Sequence, residues 1–376
     1  MSHRYLNLVL HDFNSYIFSV CRIDLCKHLF YGSSEIARAA GEKKAKRGVI
    51  VDGWEKLPPA AINFQPTPNS LSWRTFSVFS LLGDDEGNIL YIDPRPQTAL
   101  YNFDMRLVQS IPSPHSTKDC TAISLPVTRA DPIDPMKKRL SLYFLDLSYR
   151  HDDENYRCFE VLSYRNKQWR WDILPPPPFF LRDPDNAPQS QLYSYAVVDP
   201  STICISSLEQ ERIGTYTFDT VRRRWRRAAD WVLPFFGKAE YVPELNLWFG
   251  LSAWNPFSSL CAVDLSAMDS AQPPIPQHTM EYLHLPEDMA WSPTQLHMVN
   301  LGSGRFCVAA FFGMALRNCQ CPPDEYSSDE DTDGKEYVVF TGLEIKRSDD
   351  GDGSLELIKH MSKGYVVGCR NIECVL

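Results

Sequence analysis

Five segments of this chain end an apolar stretch with the same step, apolar-x-apolar-Asp. They are FSVCRID at Asp24, LYNFD at Asp104, LYFLD at Asp146, GTYTFD at Asp219 and LCAVD at Asp264. In three comparable stretches the chain then makes a polar turn, returns through a second strand and leaves through a Leu-Pro or Ile-Pro step: LYNFDMRLVQSIPSP, VLSYRNKQWRWDILPPPPF and TFDTVRRRWRRAADWVLPF. The returning strand carries Trp169 in one and Trp225 in another. Physically this is a strand, a tight turn, a return strand and a proline exit. The Asp carboxylate opens the turn by accepting backbone N–H bonds, and Pro ends ladder pairing where the chain leaves the sheet.

A unit of this size cannot bury both of its own faces. Radially stacked sheets can, with large aromatic side chains filling the wedges between neighbours. The sequence divides into units at roughly 74–115, 120–180, 192–235, 237–283 and 295–364, the last carrying a long insertion. A sixth unit is shared between the termini, YLNLVLHDFNSYIFSVCRIDL with the final GYVVGCRNIECVL. The expected fold is therefore all-β: one β-propeller domain over residues 1–376, with six blades and the N- and C-terminal strands closing one of them. The alternative, two separate β-sandwiches, calls for a Gly/Ser-rich or charged linker, and none divides the middle of the chain. Two segments stand apart. Residues 33–48, SEIARAAGEKKAKRG at their centre, read as an inserted helix or mobile loop interrupted at Gly41, and 322–336 read as an acidic disordered loop.

The 20 Phe, 17 Tyr and 9 Trp supply a large core, and 28 Pro punctuate it into short strands. The five arginines around Trp225 are the one basic knot. As a strand, VRRRW would place Val221, Arg223 and Trp225 on one face and Arg222, Arg224 and Arg226 on the other. An Arg-rich outer strand keeps a sheet edge soluble, and the net charge of −9 argues against nucleic acid as the partner. The eleven cysteines sit mostly inside apolar runs, and no Asn-x-Ser/Thr acceptor occurs. The N-terminal apolar run is broken by His11, Asp12 and Asn14, too early for a signal segment. A cytoplasmic or nuclear protein with no membrane contact is expected.

Tyr216-x-Phe218-Asp219 followed by Trp225 resembles the third-to-fourth strand portion of a kelch repeat. RYLNLVLHDFNSYIFSVCRIDL, LPPPPF, GTYTFDT, DWVLPFFGKAEYVPELNLWFGLS, LCAVDLSA and LGSGRFCVAAFF together resemble blocks of a grass-specific family of kelch-like, galactose-oxidase-type β-propellers of unknown function. The resemblance runs from about residue 4 to about residue 365. It implies the propeller fold and no activity. The chain lacks the Gly-Gly doublets of ordinary kelch repeats, which leaves the blade boundaries open.

Kelch-type propellers include several functional classes. Substrate receptors of ubiquitin ligases carry an N-terminal helical F-box, whereas this chain starts almost directly in a strand; LPEDMAW at Leu285 is followed by Pro293 and a β-like run. Iron-binding specifier proteins use Glu-x-x-x-Asp-x-x-x-His; here Glu325 and Asp329 are followed by Asp333. Asp329, Asp331, Asp333 and Gly334 match the start of a calcium loop, but Phe340 stands where its bidentate Glu belongs. Cys319 and Cys321 lack two further zinc ligands nearby. GSGR at Gly302 reads as a hairpin turn. Ser327 and Ser328 precede acidic residues, the context of acidophilic kinases, and phosphorylation there would add charge to the loop. No catalytic, metal or cofactor residue is assigned. The expected function is a non-catalytic interaction or scaffold propeller that binds a protein partner. An F-box-less relative of kelch receptors, acting in ubiquitin-ligase recognition, and a propeller enzyme with a channel metal site remain as alternatives.

Overall fold

The computed structural model describes residues 3–376 except 13, 46–50, 68–76, 84, 94, 96, 119–121, 131–137, 147–156, 179–191, 208–213, 267–271, 283–292, 313–335, 349–352 and 369. It is almost entirely β. Meander sheets follow one another along the chain; three of them have four strands, and most neighbouring strands pair antiparallel. Two compact units divide it, one of residues 1–65, 242–263 and 276–376, the other of residues 66–241 and 264–275.

In the first unit, β1 (Tyr5–Asp12) pairs with β2 (Ile17–Asp24), and β2 then leads into α1 (Leu25–His28), α2 (Ser34–Ala45) and β3 (Trp54–Lys56). β4 (Ala60–Phe64) returns to the edge of β2. The same unit holds β18 to β25, introduced below. The second unit begins with β5 (Val78–Leu82), β6 (Asp85–Ile92), β7 (Thr98–Asn102) and β8 (Leu107–Ile111) in one sheet. The next sheet consists of β9 (Ile123–Ala130), β10 (Lys138–Leu145), β11 (Phe159–Arg165) and β12 (Gln168–Ile173). β13 (Leu192–Asp199), β14 (Thr202–Ser207), β15 (Gly214–Asp219) and β16 (Arg224–Ala229) form another, and β17 (Phe235–Val242) pairs in parallel with β13 through Ser194–Ala196.

After a tight turn at Leu245 and Asn246 come β18 (Leu247–Ser252), β19 (Ser259–Val263) and β20 (His278–Glu281). β21 (Gln295–Gly302), β22 (Arg305–Phe312), β23 (Glu336–Arg347) and β24 (Leu355–Gly368) follow. β25 (Asn371–Val375) pairs antiparallel with β1, Leu8 opposite Val375 and Leu10 opposite Ile372, so the two termini share one sheet. Apart from β3 and β4, the strand runs fall within the segments read in outline from the sequence as units.

Burial of both faces explains why the strands read as continuous apolar runs rather than as alternations. In β10, Leu142 and Phe144 join the core with Val78, Leu90, Ile92 and Trp171, while Tyr143 and Leu145 face Phe159, Ile203, Ile205 and Phe218. In the first unit β22 does the same. Cys307, Ala309 and Phe311 pack with Leu6, Leu8, Leu10 and Phe340; Phe306 and Val308 pack with Phe249, Leu260 and Ile345. A fully apolar strand such as RFCVAAFF is thus the signature of a sheet sandwiched between two others.

The Arg run behaves differently from its sequence reading. Val221 to Arg223 form the turn and the strand starts at Arg224. Arg223 adopts a left-handed φ of 56° and its guanidinium pairs with Asp172 of β12 at 2.6 Å. Trp225 is half-buried against Phe159 and Phe218 and donates its indole N–H to the Pro175 carbonyl at 2.8 Å. Its counterpart in the preceding sheet is Trp171, which donates to the Pro112 carbonyl at 2.7 Å; Trp169 instead packs against Tyr164. The proline that ends pairing in one sheet therefore offers its carbonyl to the outer-strand indole of the next.

Because Trp171 is buried, Trp171→Phe strands the Pro112 carbonyl and should cost about 1–3 kcal/mol in urea unfolding. Trp225→Phe, at a half-exposed site, should cost less. Equal costs would contradict the assignment.

Candidate functional site

The five Asp steps do not all open turns. Asp219 does: its Oδ1 accepts the N–H groups of Val221 and Arg222, each at 2.8 Å. Those bonds hold its carboxyl below the usual carboxylate range, against the upward push of burial. Asp264 accepts from Ser266 at 2.8 Å. In the β7–β8 turn the acceptor is Asn102, bonded to the Met105 N–H at 2.7 Å, and Asp104 is an exposed turn residue. Asp24 ends β2 with no side-chain cap on α1 and pairs with Arg4 and Lys27. Asp146 follows the second strand of its sheet, not the third, and is buried. The third strand of that sheet, β11, turns instead at Asn166 and Lys167, both at positive φ.

Asp146 belongs to a buried charge cluster in the second unit. Lys118 is fully enclosed. Its Nζ donates to Glu160 Oε2 at 2.5 Å and to the Arg157 carbonyl at 3.0 Å, and it lies 3.6 Å from Asp146 Oδ2. The other Glu160 oxygen accepts from the His115 backbone N–H at 2.9 Å and lies 2.7 Å from His115 Nδ1. Beside them, burial and then the Asp146 charge push the Cys158 thiol up to about 12, so it is protonated and unreactive at neutral pH. With the ammonium bonded to Glu160 and the Arg157 carbonyl and the thiol protonated, the cluster pins the 112–118 connection against β10 and β11.

A second cluster, in the first unit, seats the inserted helix. α2 runs through Gly41 without interruption. Ser34 Oγ donates to Glu344 Oε2 at 2.7 Å, Arg38 grips Glu356 with bonds of 2.8 and 2.6 Å, and Lys44 pairs with Asp52 at 2.6 Å. Lys44 is therefore engaged in docking. His360 completes the cluster. Its Nδ1 accepts the Tyr31 N–H at 3.2 Å, so Nε2 carries the proton toward Glu344 at 3.2 Å. Burial lowers the His360 pKa, which keeps the ring neutral, although Glu344 opposes this. Burial alone would raise Glu344, but the Ser34 and His360 hydrogen bonds and the Arg305 and Lys346 charges outweigh it and hold the carboxyl at about 2. β3 extends the same insertion alongside β24, and Gly364 is required there: a Cβ would sit 2.5 Å from the Trp54 ring.

Both polar clusters are thus structural. Among the described residues no group of three His, Cys, Asp or Glu is placed to hold a metal ion, and no helix is long and apolar enough to cross a membrane. Ser327, Ser328, the calcium-like acidic run, LPEDMAW, Cys319 and Cys321 lie outside the described residues.

Several large apolar side chains project outward. Trp254 is 88% exposed in the β18–β19 loop. That loop is held by Ser259 N–H to the Asn255 carbonyl at 2.9 Å and by Tyr282 Oη to the Pro256 carbonyl at 2.9 Å. Phe257 is partly exposed beside it in sequence. On the β7–β8 hairpin, Met105, Leu107 and Val108 are all more than half exposed.

Blade-type meanders with shared terminal strands and solvent-facing hairpins define a protein of the β-propeller class. The chain belongs to the family DUF1668, protein of unknown function, which matches residues 3–366. No curated protein matches it. Among solved structures it is similar to a Lactobacillus plantarum protein at 10% identity, covering 95% of this chain and 82% of that one with a TM-score of 0.37. TolB from Acinetobacter baumannii is 11% identical, over 96% of this chain and 66% of that one, with a TM-score of 0.34. Kuenenia stuttgartiensis hydrazine synthase is 11% identical with a TM-score of 0.32; this chain is covered to 74% and spans 64% of that one, less than two thirds. Similarities of this size assign no activity.

Two outcomes follow from the clusters. Lys118→Met leaves two buried carboxylates without a counter-charge and should lower unfolding stability by about 3–5 kcal/mol; a loss below 1 kcal/mol would contradict the cluster. Glu344, depressed from 4.5 to about 2, stabilises the fold above its unfolded value. That contribution should disappear as pH falls from about 4.5 through 2. In urea midpoints measured between pH 6 and 2, Glu344→Gln should be the less stable protein at pH 6 and show a shallower decline across that window.

Proposed function

We propose that the protein is a non-catalytic, kelch-like propeller that binds a protein partner, in the cytoplasm or nucleus. The observation that carries the reading is Trp254. A tryptophan 88% exposed on a loop held by its own backbone bonds is costly to leave in water and loses little entropy on binding. Such residues dominate the energetics of protein interfaces. The rest of the molecule agrees with a frame rather than a reaction centre. Lys118 is tied to Glu160 and His360 to Glu344, and burial drives Cys204 and Cys307 toward the thiol form. The seven described cysteines are all free thiols, which supports a reducing compartment.

Affinity capture of the tagged full-length protein from tissue that expresses it, beside Trp254→Ser, tests the reading. One dominant partner should be recovered with the wild type and lost at least about tenfold with the variant, the effect of removing a single hot spot. Recovery of cullin adaptors among the captured proteins would direct the role toward ubiquitin-ligase recognition. Stoichiometric iron or copper in the purified protein, with no partner above background, would overturn the reading in favour of an enzyme.

A further inference from the structure

The outer strands of the sheets are not protected alike. An outer strand leaves a row of backbone N–H and C=O groups unpaired, and proteins shield such rows with charge, with proline or with a covering element. β24 is covered, since β3 pairs with it in parallel over Gly364 to Val366 and α2 is anchored to it through Glu356. β16 carries the exposed Arg224, Arg226 and Arg227, and β12 carries the exposed Arg170 beside Asp172. β20 carries His278 and Glu281, and β4 exposes only two alanines and Asn63.

β8 differs in the large apolar side chains it presents. Its five residues, LVQSI, carry no charge, its first four are exposed, and the exposed Arg106 precedes them in the turn. β7 is its one strand partner among the described residues. Met105 at 72%, Leu107 at 51% and Val108 at 58% exposure stand within four positions of one another. Leu107 and Val108 lie on opposite faces of the strand, so apolar surface flanks both sides of the open ladder. The hairpin that presents it is ordered by Asn102, whose Oδ1 accepts the Met105 N–H at 2.7 Å while its Nδ2 donates to Asn88 Oδ1 at 2.8 Å.

We infer that the open edge of β8 receives an extended peptide segment of a partner protein, which adds as a fifth strand. This rests on the reading of the protein as an interaction module and names one surface of it. The backbone dictates the occupant's conformation, because only a strand can pair along an open ladder. The flanking side chains dictate its chemistry: uncharged, with apolar residues on both faces to cover Leu107 and Val108. A second copy of this chain would have to bury surface well beyond the strand itself. Five residues extend about 17 Å, and a strand laid along them covers a few hundred Å² per side, well short of the roughly 800 Å² that a stable pairing of folded proteins buries on each partner. A short linear segment matches that area.

The test is selection of random twelve-residue peptides on the immobilised full-length protein, followed by fluorescence-polarisation titration of the recovered peptides. The expected winners are rich in Val, Ile, Thr and aromatic residues and carry no charge at their centre. Val108→Lys, a surface change whose folding is checked by thermal unfolding, should weaken them at least about tenfold. N-methylating the peptide backbone at alternate residues should weaken binding about tenfold in one of the two registers and leave it unchanged in the other, since only one edge of a strand pairs. Peptides that bind Val108→Lys as well as wild type, or tolerate N-methylation in both registers, would overturn the inference. So would recovery of no peptide. In that case, persistence of a Trp254-dependent captured partner shows that the edge alone has failed, whereas loss of both removes the interaction reading as well.

Discussion

The structure depends on one constraint: each small sheet is apolar on both faces and has to be enclosed by its neighbours. β10 divides its side chains between two cores, Leu142 and Phe144 on one side and Tyr143 and Leu145 on the other, and β22 divides Phe306 and Cys307 in the same manner. Neither strand has a solvated face. Burial of about 1.5–3 kcal/mol per large apolar side chain is available only once sheets stack, so each sheet takes its stability from the next. The pairing of β25 with β1 extends this dependence to both ends of the chain.

The two buried charge clusters fix the paths of connections. Lys118, Glu160 and Asp146 fasten the chain between β8 and β9, and Glu344 with Ser34 and His360 seats the helix that covers β24. Each is an ion or hydrogen-bond network enclosed by apolar strands, where leaving one member unpaired is expensive. The consequence for function is that these buried charges are engaged inside, while exposed apolar side chains and edge backbone are surface available for recognition. Trp254 and the β8 hairpin are of that kind, one a rigid aromatic anchor and the other an open ladder.

Most of the architecture was legible in the sequence because strand, turn and proline recur at a spacing that one sheet requires. The turns were legible where Asp219 and Asp264 opened them. Asp146 misled because LYFLD also occurs at the end of a second strand, where an enclosed Lys118 rather than a turn was waiting for the carboxylate. Trp169 and Trp171 share a strand face, and only the position of the Pro112 carbonyl distinguishes them. The polar clusters had a signal that went unread: Glu160 in CFEVLSY and Glu344 in TGLEIK are charges inside strands otherwise enclosed. The exposure of Leu107 and Val108 had none, since an outer strand without charge reads as an inner one.

Hydrogen exchange on the free full-length protein tests most directly the claim that the outer edge of β8 is open whereas that of β24 is covered. The account predicts that amides in a peptide spanning Leu107–Ile111 exchange much faster than those spanning Tyr365–Val367, which β3 covers, and faster than the inner strand pair of β22 and β23. Equal protection of β8 and β24 would mean that the β8 edge is already occupied within the protein, and the open edge would have to be abandoned.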